Sequence, residues 1–103
     1  MKKYNIRIEQ KAFSDMDEII AYLSEFDYEV AAKQIERIFE AMDSLEHFPF
    51  RGRKIGLIGK NVVRQVNVGR YKIAYIVSGD YVAVHRVVHM KMNVEFDYPN
   101  TMT

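Results

Sequence analysis

Val62-Val63-Arg64-Gln65-Val66-Asn67-Val68-Gly69-Arg70-Tyr71-Lys72-Ile73-Ala74-Tyr75-Ile76-Val77-Ser78-Gly79-Asp80-Tyr81-Val82-Ala83-Val84-His85-Arg86-Val87-Val88-His89 is the stretch on which the fold turns. It divides into three runs rich in Val, Ile and Tyr, residues that suit a pleated, half-buried surface. Gly69-Arg70 and Ser78-Gly79-Asp80 separate the runs, and a connection that short joins antiparallel neighbours. Three hairpin-linked strands are therefore expected over Val62 to Val68, Tyr71 to Val77 and Tyr81 to His89.

Upstream, Phe50 to Asn61 holds three glycines and four basic residues without a clear period, so it reads as a mobile basic loop. Before it, Ala31, Ala32, Ile35, Ile38, Phe39, Met42 and Leu45 recur at three- and four-residue steps, the spacing of one helix face, and Pro49 is expected to stop that helix just beyond Phe48. Met16, Ile19, Ile20 and Leu23 mark an earlier helix running to about Phe26. Ser14 is its expected N-cap, with Asp15, Asp17 and Glu18 in the first turn, where the helix dipole favours negative charge. The short link near Asp27 makes the two helices an antiparallel hairpin whose wet side carries Lys33, Glu36, Arg37, Glu40 and Asp43. At the start, Tyr4, Ile6 and Ile8 alternate with Asn5, Arg7 and Glu9, the period of a strand with one buried face.

The expected order is β-α-α-β-β-β, an α+β domain with the helices packed on one face of the sheet. Residues 1–92 make that single domain. Residues 93–103 form a short tail, in which Tyr98-Pro99-Asn100 predicts irregular structure and fraying. The core is expected to join Ile19, Leu23, Ile35, Ile38, Phe39, Met42 and Leu45 to Ile6, Ile73, Tyr75 and Val84.

The net charge of +1 hides a strong asymmetry. Between Pro49 and Met92 nine basic residues face a single acid, Asp80, whereas the first 48 residues hold six basic residues and eleven acids. A basic half of this kind either meets an acidic or polyanionic partner or simply solvates the outside of a sheet. Cysteine is absent, which excludes disulfide scaffolds, thiolate metal sites and cysteine nucleophiles and fits a reducing cytoplasm. No apolar run has the length of a signal peptide core or a membrane span, and there is no internal repeat.

Alternation along the strands groups Arg64 with Val62, Val66 and Val68, Lys72 with Ala74 and Ile76, and Arg86 with Val82, Val84 and Val88. The expectation is a shallow groove lined by Arg64, Lys72 and Arg86, cations held on rigid strands where phosphate or carboxylate can be recognised, or else solvated surface residues. His47 caps a helix end and His85 is structural. His89 closes the last strand and either transfers protons near a phosphate or packs. His85 and His89 lie about 13 Å apart along a strand, with no acid near them in sequence, so no metal site is expected, and Gly52, Gly56 and Gly59 form no phosphate-binding pattern. No cofactor is implied.

The element order, the Phe48-Pro49-Phe50-Arg51-Gly52-Arg53 joint, the hairpin from Val63 to Tyr75 and the Arg86-Val87-Val88-His89 ending together resemble the RelE/ParE superfamily of toxins from bacterial type II toxin–antitoxin pairs, over nearly the whole chain. The resemblance implies a cytoplasmic toxin neutralised by a cognate antitoxin, and a homodimer or a toxin–antitoxin hetero-oligomer; because an apolar groove lined by like charges costs solubility, an antitoxin segment with acidic and apolar residues is expected to cover it, by helix or added strand. It also implies one of two activities on one fold. RelE-like members are ribosome-dependent, metal-independent endoribonucleases acting on messenger RNA; ParE-like members inhibit DNA gyrase. Under the RelE-like reading Arg64 and Arg86 supply charge and His89 the proton transfer. Under either reading Arg51, Arg53, Lys54, Arg64, Arg70, Lys72, Arg86 and Lys91 form the surface for nucleic acid or a protein partner. The chain lacks an acid between Glu46 and Asp80 to act as base, and His89-Met90-Lys91-Met92-Asn93 is more similar to the ParE branch, which favours gyrase inhibition and a non-enzyme. A non-toxic basic module that binds nucleic acid or an acidic protein is the reading from charge alone.

Overall fold

The computed structural model describes residues 2–94. Its elements are β1 (Asn5–Ile8), α1 (Gln10–Ser24), α2 (Tyr28–Ser44), β2 (Arg53–Ile58), β3 (Asn61–Val68), β4 (Tyr71–Ser78) and β5 (Tyr81–His89). The sheet runs β1-β5-β4-β3-β2, with β1 parallel to β5 and every other pair antiparallel. The α+β class and the expected element order hold, but the meander has four strands rather than three. With β1 the sheet has five.

The extra strand is β2, in the segment expected to be a mobile loop. Its pairing with β3 is interrupted by a bulge between Lys54 and Gly56, and as an edge strand it buries little. Period-2 patterning needs one consistently buried face, which this strand does not have. Three two-residue connections, Gly59-Lys60, Gly69-Arg70 and Gly79-Asp80, then set the register of the meander. Each places glycine at positive φ (58° to 60°) in the first loop position, the conformation a type II′ hairpin turn demands.

Helix α1 begins four residues before Ser14, at Gln10, because β1 ends as the Glu9 N–H is taken by the Val84 carbonyl and the chain turns directly into the helix. Ala12, Met16 and Ile19 extend the apolar stripe a turn earlier than expected, and Glu9 makes no side-chain cap. Asp15 consequently sits in the second turn, and it is buried. Helix α2 is capped by Asp27, whose carboxylate accepts from the Glu29 and Val30 N–H groups, a contact worth about 1 kcal/mol. It ends at Ser44, short of Phe48: Leu45 closes it, and His47 lies in the following turn.

One face of the sheet packs on the helices. Ile38, Met42 and Leu45 meet Val66, Ile73, Tyr75, Val82, Val84 and Val87 in a core from which water is excluded. Burying each large apolar side chain contributes about 1.5–3 kcal/mol. Phe39, expected inside, is 40% exposed: it lies one residue, about 100° of helical turn, beyond fully buried Ile38. The expected tail lies largely outside the described residues, which end at Val94.

Candidate functional site

Strand alternation and a second bulge decide where the basic side chains go. In β4, Tyr71, Ile73 and Tyr75 face the helices, so Arg64, directly opposite Tyr75, begins on that same face, while Lys72 stands on the other. Arg64 turns toward the joint before β2. Its Nη1 donates to the carbonyls of Phe50 (3.1 Å) and Gly52 (2.9 Å), and its guanidinium lies 5.1 Å from the centre of the Phe50 ring. This cation organises backbone, and Tyr75 completes the arrangement by accepting the Gly52 N–H at 2.8 Å. Burial pushes the Tyr75 phenol above its ordinary pKa, against the opposing influence of the Gly52 hydrogen bond and of Arg64 and Arg51.

Arg86 is committed elsewhere. In the β4–β5 ladder Tyr75 pairs with Val84 and Ala74 with Arg86, so His85 is the extra residue of a bulge. β1 pairs with β5 only as far as Val84, which leaves the next stretch of β5 as a free edge. Asp15 fills the gap: its carboxylate accepts from Arg86 Nε (2.8 Å) and Nη2 (3.0 Å) and from the Val87 N–H (2.9 Å). His85 Nδ1 lies 2.8 Å from Glu9 Oε1, and among the described residues its buried Nε2 has no hydrogen-bond partner, in keeping with a structural role.

Arg64, Lys72 and Arg86 therefore do not line one groove. The cations fall into separate groups. Around the joint, Arg64 and Arg51 stabilise local structure, Arg51 through a 3.1 Å hydrogen bond from its Nε to Ser44 Oγ. On the sheet face turned away from the helices, where Val63, Gln65 and Ala74 are buried, Arg53 and Lys72 border with Lys54 a cleft of about 540 Å³ that neither a carboxylate nor an imidazole lines among the described residues. At the β3–β4 turn, Arg70, His89 and Lys91 border one cleft, and Arg70 and His89 border a second with Arg37. Sequence reading left out Arg37, which it placed on the wet side of α2, and also Tyr71, Gln34 and Asp15. The earlier start of the Ala12, Met16 and Ile19 stripe was the one signal pointing to Asp15.

His89 is half-buried and packs edge to face on Tyr71, with ring centres 5.6 Å apart. The Lys91 N–H donates to its Nδ1 at 3.1 Å, so in the neutral ring the proton sits on Nε2. Burial raises the Tyr71 phenol above its ordinary pKa; the neighbouring Tyr22 acts in the same direction and Arg70 against it.

The family model described as the ParE toxin of type II toxin–antitoxin systems, parDE, matches residues 6–94. The chain belongs to the ParE toxin family. Toxin RelE1 of Caulobacter vibrioides is 29% identical over 86 residues, 84% of this chain and 92% of that protein. A solved structure of the chromosomal ParDE system from P. aeruginosa superposes with a TM-score of 0.73 at 21% identity, covering 86% of this chain and 98% of that one, a likeness of fold. As a ParE-family protein the chain is the toxin of a type II pair, and an antitoxin is its partner.

Proposed function

We propose that this ParE-family toxin arrests growth by binding and inhibiting DNA gyrase in the cytoplasm, and that it does not cleave messenger RNA. The observation that carries this reading is the separation of the groups a cleavage reaction would need. Arg64 lies opposite Tyr75 and His89 opposite Tyr71, four residues and about 13 Å apart along β4. Arg86 is held by Asp15, Arg64 by two carbonyls, and His89 Nδ1 by a backbone N–H. Transesterification at phosphorus needs a base, an acid and cations within hydrogen-bond reach of one phosphate. A binding surface asks only for exposed groups, which Arg53 and Lys54 on β2 and Arg70 at the β3–β4 turn supply.

The test pairs two assays on the purified chain: supercoiling of relaxed plasmid by gyrase, and integrity of messenger RNA in a translating extract. Loss of supercoiling with intact message is expected. Cleaved message with normal supercoiling overturns the reading in favour of a ribosome-dependent endoribonuclease.

A further inference from the structure

Between the helix hairpin and the β3–β4 turn runs a cleft of about 490 Å³ walled by Tyr22, Val30 and Tyr71 and rimmed by Gln34, Arg37, Arg70 and His89. Among the described residues its charged side chains, Arg37 and Arg70, are both cations. Among the described residues Gln34 Nε2 is buried with no hydrogen-bond partner, an unfavourable state for an amide N–H. His89 keeps its proton on Nε2 because Nδ1 already accepts from Lys91. Among the described residues neither Arg37 nor Arg70 is ion-paired, and no acid lines the cleft. The cleft thus offers donors and cations beside apolar walls and lacks the anion they would share. Gly69, with φ +58°, keeps the floor open: a side chain there would come 3.2 Å from Gln34 Oε1 and 3.5 Å from Arg37 Nη1.

We infer that this cleft seats a carboxylate-bearing, apolar segment of the antitoxin, with one carboxylate accepting from Arg37, Arg70 and the Gln34 amide while aliphatic neighbours pack on Tyr22, Val30 and Tyr71. Charge complementarity selects this occupant: Arg–carboxylate contacts give specificity as well as affinity, and a purely apolar helix would leave the Gln34 amide and the two cations lining the cleft without a counterpart. The inference rests on the antitoxin partner that family membership brings and is independent of the toxin's target.

The test titrates the chain calorimetrically with the antitoxin expressed from the adjoining gene. Arg37→Glu/Arg70→Glu, at two exposed positions, should weaken binding about 30-fold or more and flatten its salt dependence, whereas Arg53→Glu/Lys54→Glu, at two exposed positions on β2 outside the cleft, should stay within about threefold of the parent. Gln34→Met supplies a second signature: stability of the free chain unchanged or raised, since the amide has no partner there, with binding weakened about tenfold. No binding by the parent, equal losses from both charge-reversed pairs, the opposite ranking, or Gln34→Met binding like the parent would each overturn the assignment. Supercoiling by gyrase, measured on the parent chain without antitoxin, decides separately whether the proposed target stands.

Discussion

The Asp15 carboxylate occupies the place of a missing strand: at the edge of β5 it accepts the Val87 N–H at 2.9 Å while gripping Arg86 through two further hydrogen bonds. It also protects an otherwise unpaired strand edge. Both side chains are largely buried, at 10% and 14% exposure, so removing one partner strands a charge or an N–H away from water. Asp15→Ala should cost about 3 kcal/mol in urea unfolding, and Asp15→Asn, which still accepts from Val87, about half of that. The double variant Asp15→Ala/Arg86→Met should lose less than the sum of its parts. Strict additivity would show that the pair does not act as a unit.

Gly52 lies against the ring it hydrogen-bonds. A Cβ at that position would stand 2.5 Å from Tyr75 Oη and 2.9 Å from the Gln65 carbonyl oxygen. Gly52→Ala should destabilise by about 2–4 kcal/mol through overpacking and loss of the 2.8 Å hydrogen bond. Combining it with Tyr75→Phe should recover part of the loss, because the closest clash disappears with the hydroxyl. Denaturant midpoints of the two single variants and the double variant check this.

Alkaline pH should expose the same contact. Burial raises the Tyr75 pKa above its ordinary value near 10, so the folded state favours the neutral phenol. That stability is fully present below the unfolded pKa and is lost as pH rises through the folded one. Thermal midpoints should therefore fall above about pH 10, less steeply in Tyr75→Phe than in the parent. A Tyr75→Phe profile parallel to the parent's would assign the alkaline loss to other groups.

Neighbouring residues on α2 should behave very differently. Ile38 is fully buried and Phe39 is 40% exposed. Ile38→Ala should cost about 2–5 kcal/mol through lost burial and a residual cavity, and Phe39→Ala under about 1 kcal/mol. Similar losses at both positions would mean that α2 is rotated from the orientation described.

His89→Gln keeps size and hydrogen bonding but removes proton transfer. Growth inhibition should change by less than about threefold if the residue only packs on Tyr71, whereas a proton-transfer role would lower cleavage by about 10²–10⁴. Growth assays with the folded variant, beside the supercoiling and message assays of the parent, distinguish these outcomes.

The helix hairpin and the three C-terminal strands were legible in the sequence because each has one sustained buried face: Ile38, Met42 and Leu45 keep helical spacing, and Val66, Val68, Ile73 and Tyr75 keep strand spacing. Glycines ahead of Arg70 and Asp80 marked hairpin turns for the same local reason. Family resemblance was carried by short motifs, the Phe48–Arg53 joint, the Val63–Tyr75 hairpin and the Arg86–His89 ending, and by their order along nearly the whole chain. What tertiary structure decided lay where local pattern carries no information about partners. β2 is a strand because β3 supplies its hydrogen bonds, although its own residues alternate poorly around the bulge. Arg64, Lys72 and Arg86 share a charge and a strand setting, yet they were separated by pleat direction, by the bulge at His85 and by an aspartate 71 residues away from Arg86. Arg37 joined Arg70 and His89 only because the helix hairpin folds back over the β3–β4 turn. Periodicity records which side of an element is buried; which side chains meet across elements depends on register, bulges and edges, set by long-range pairing that no single window of sequence contains.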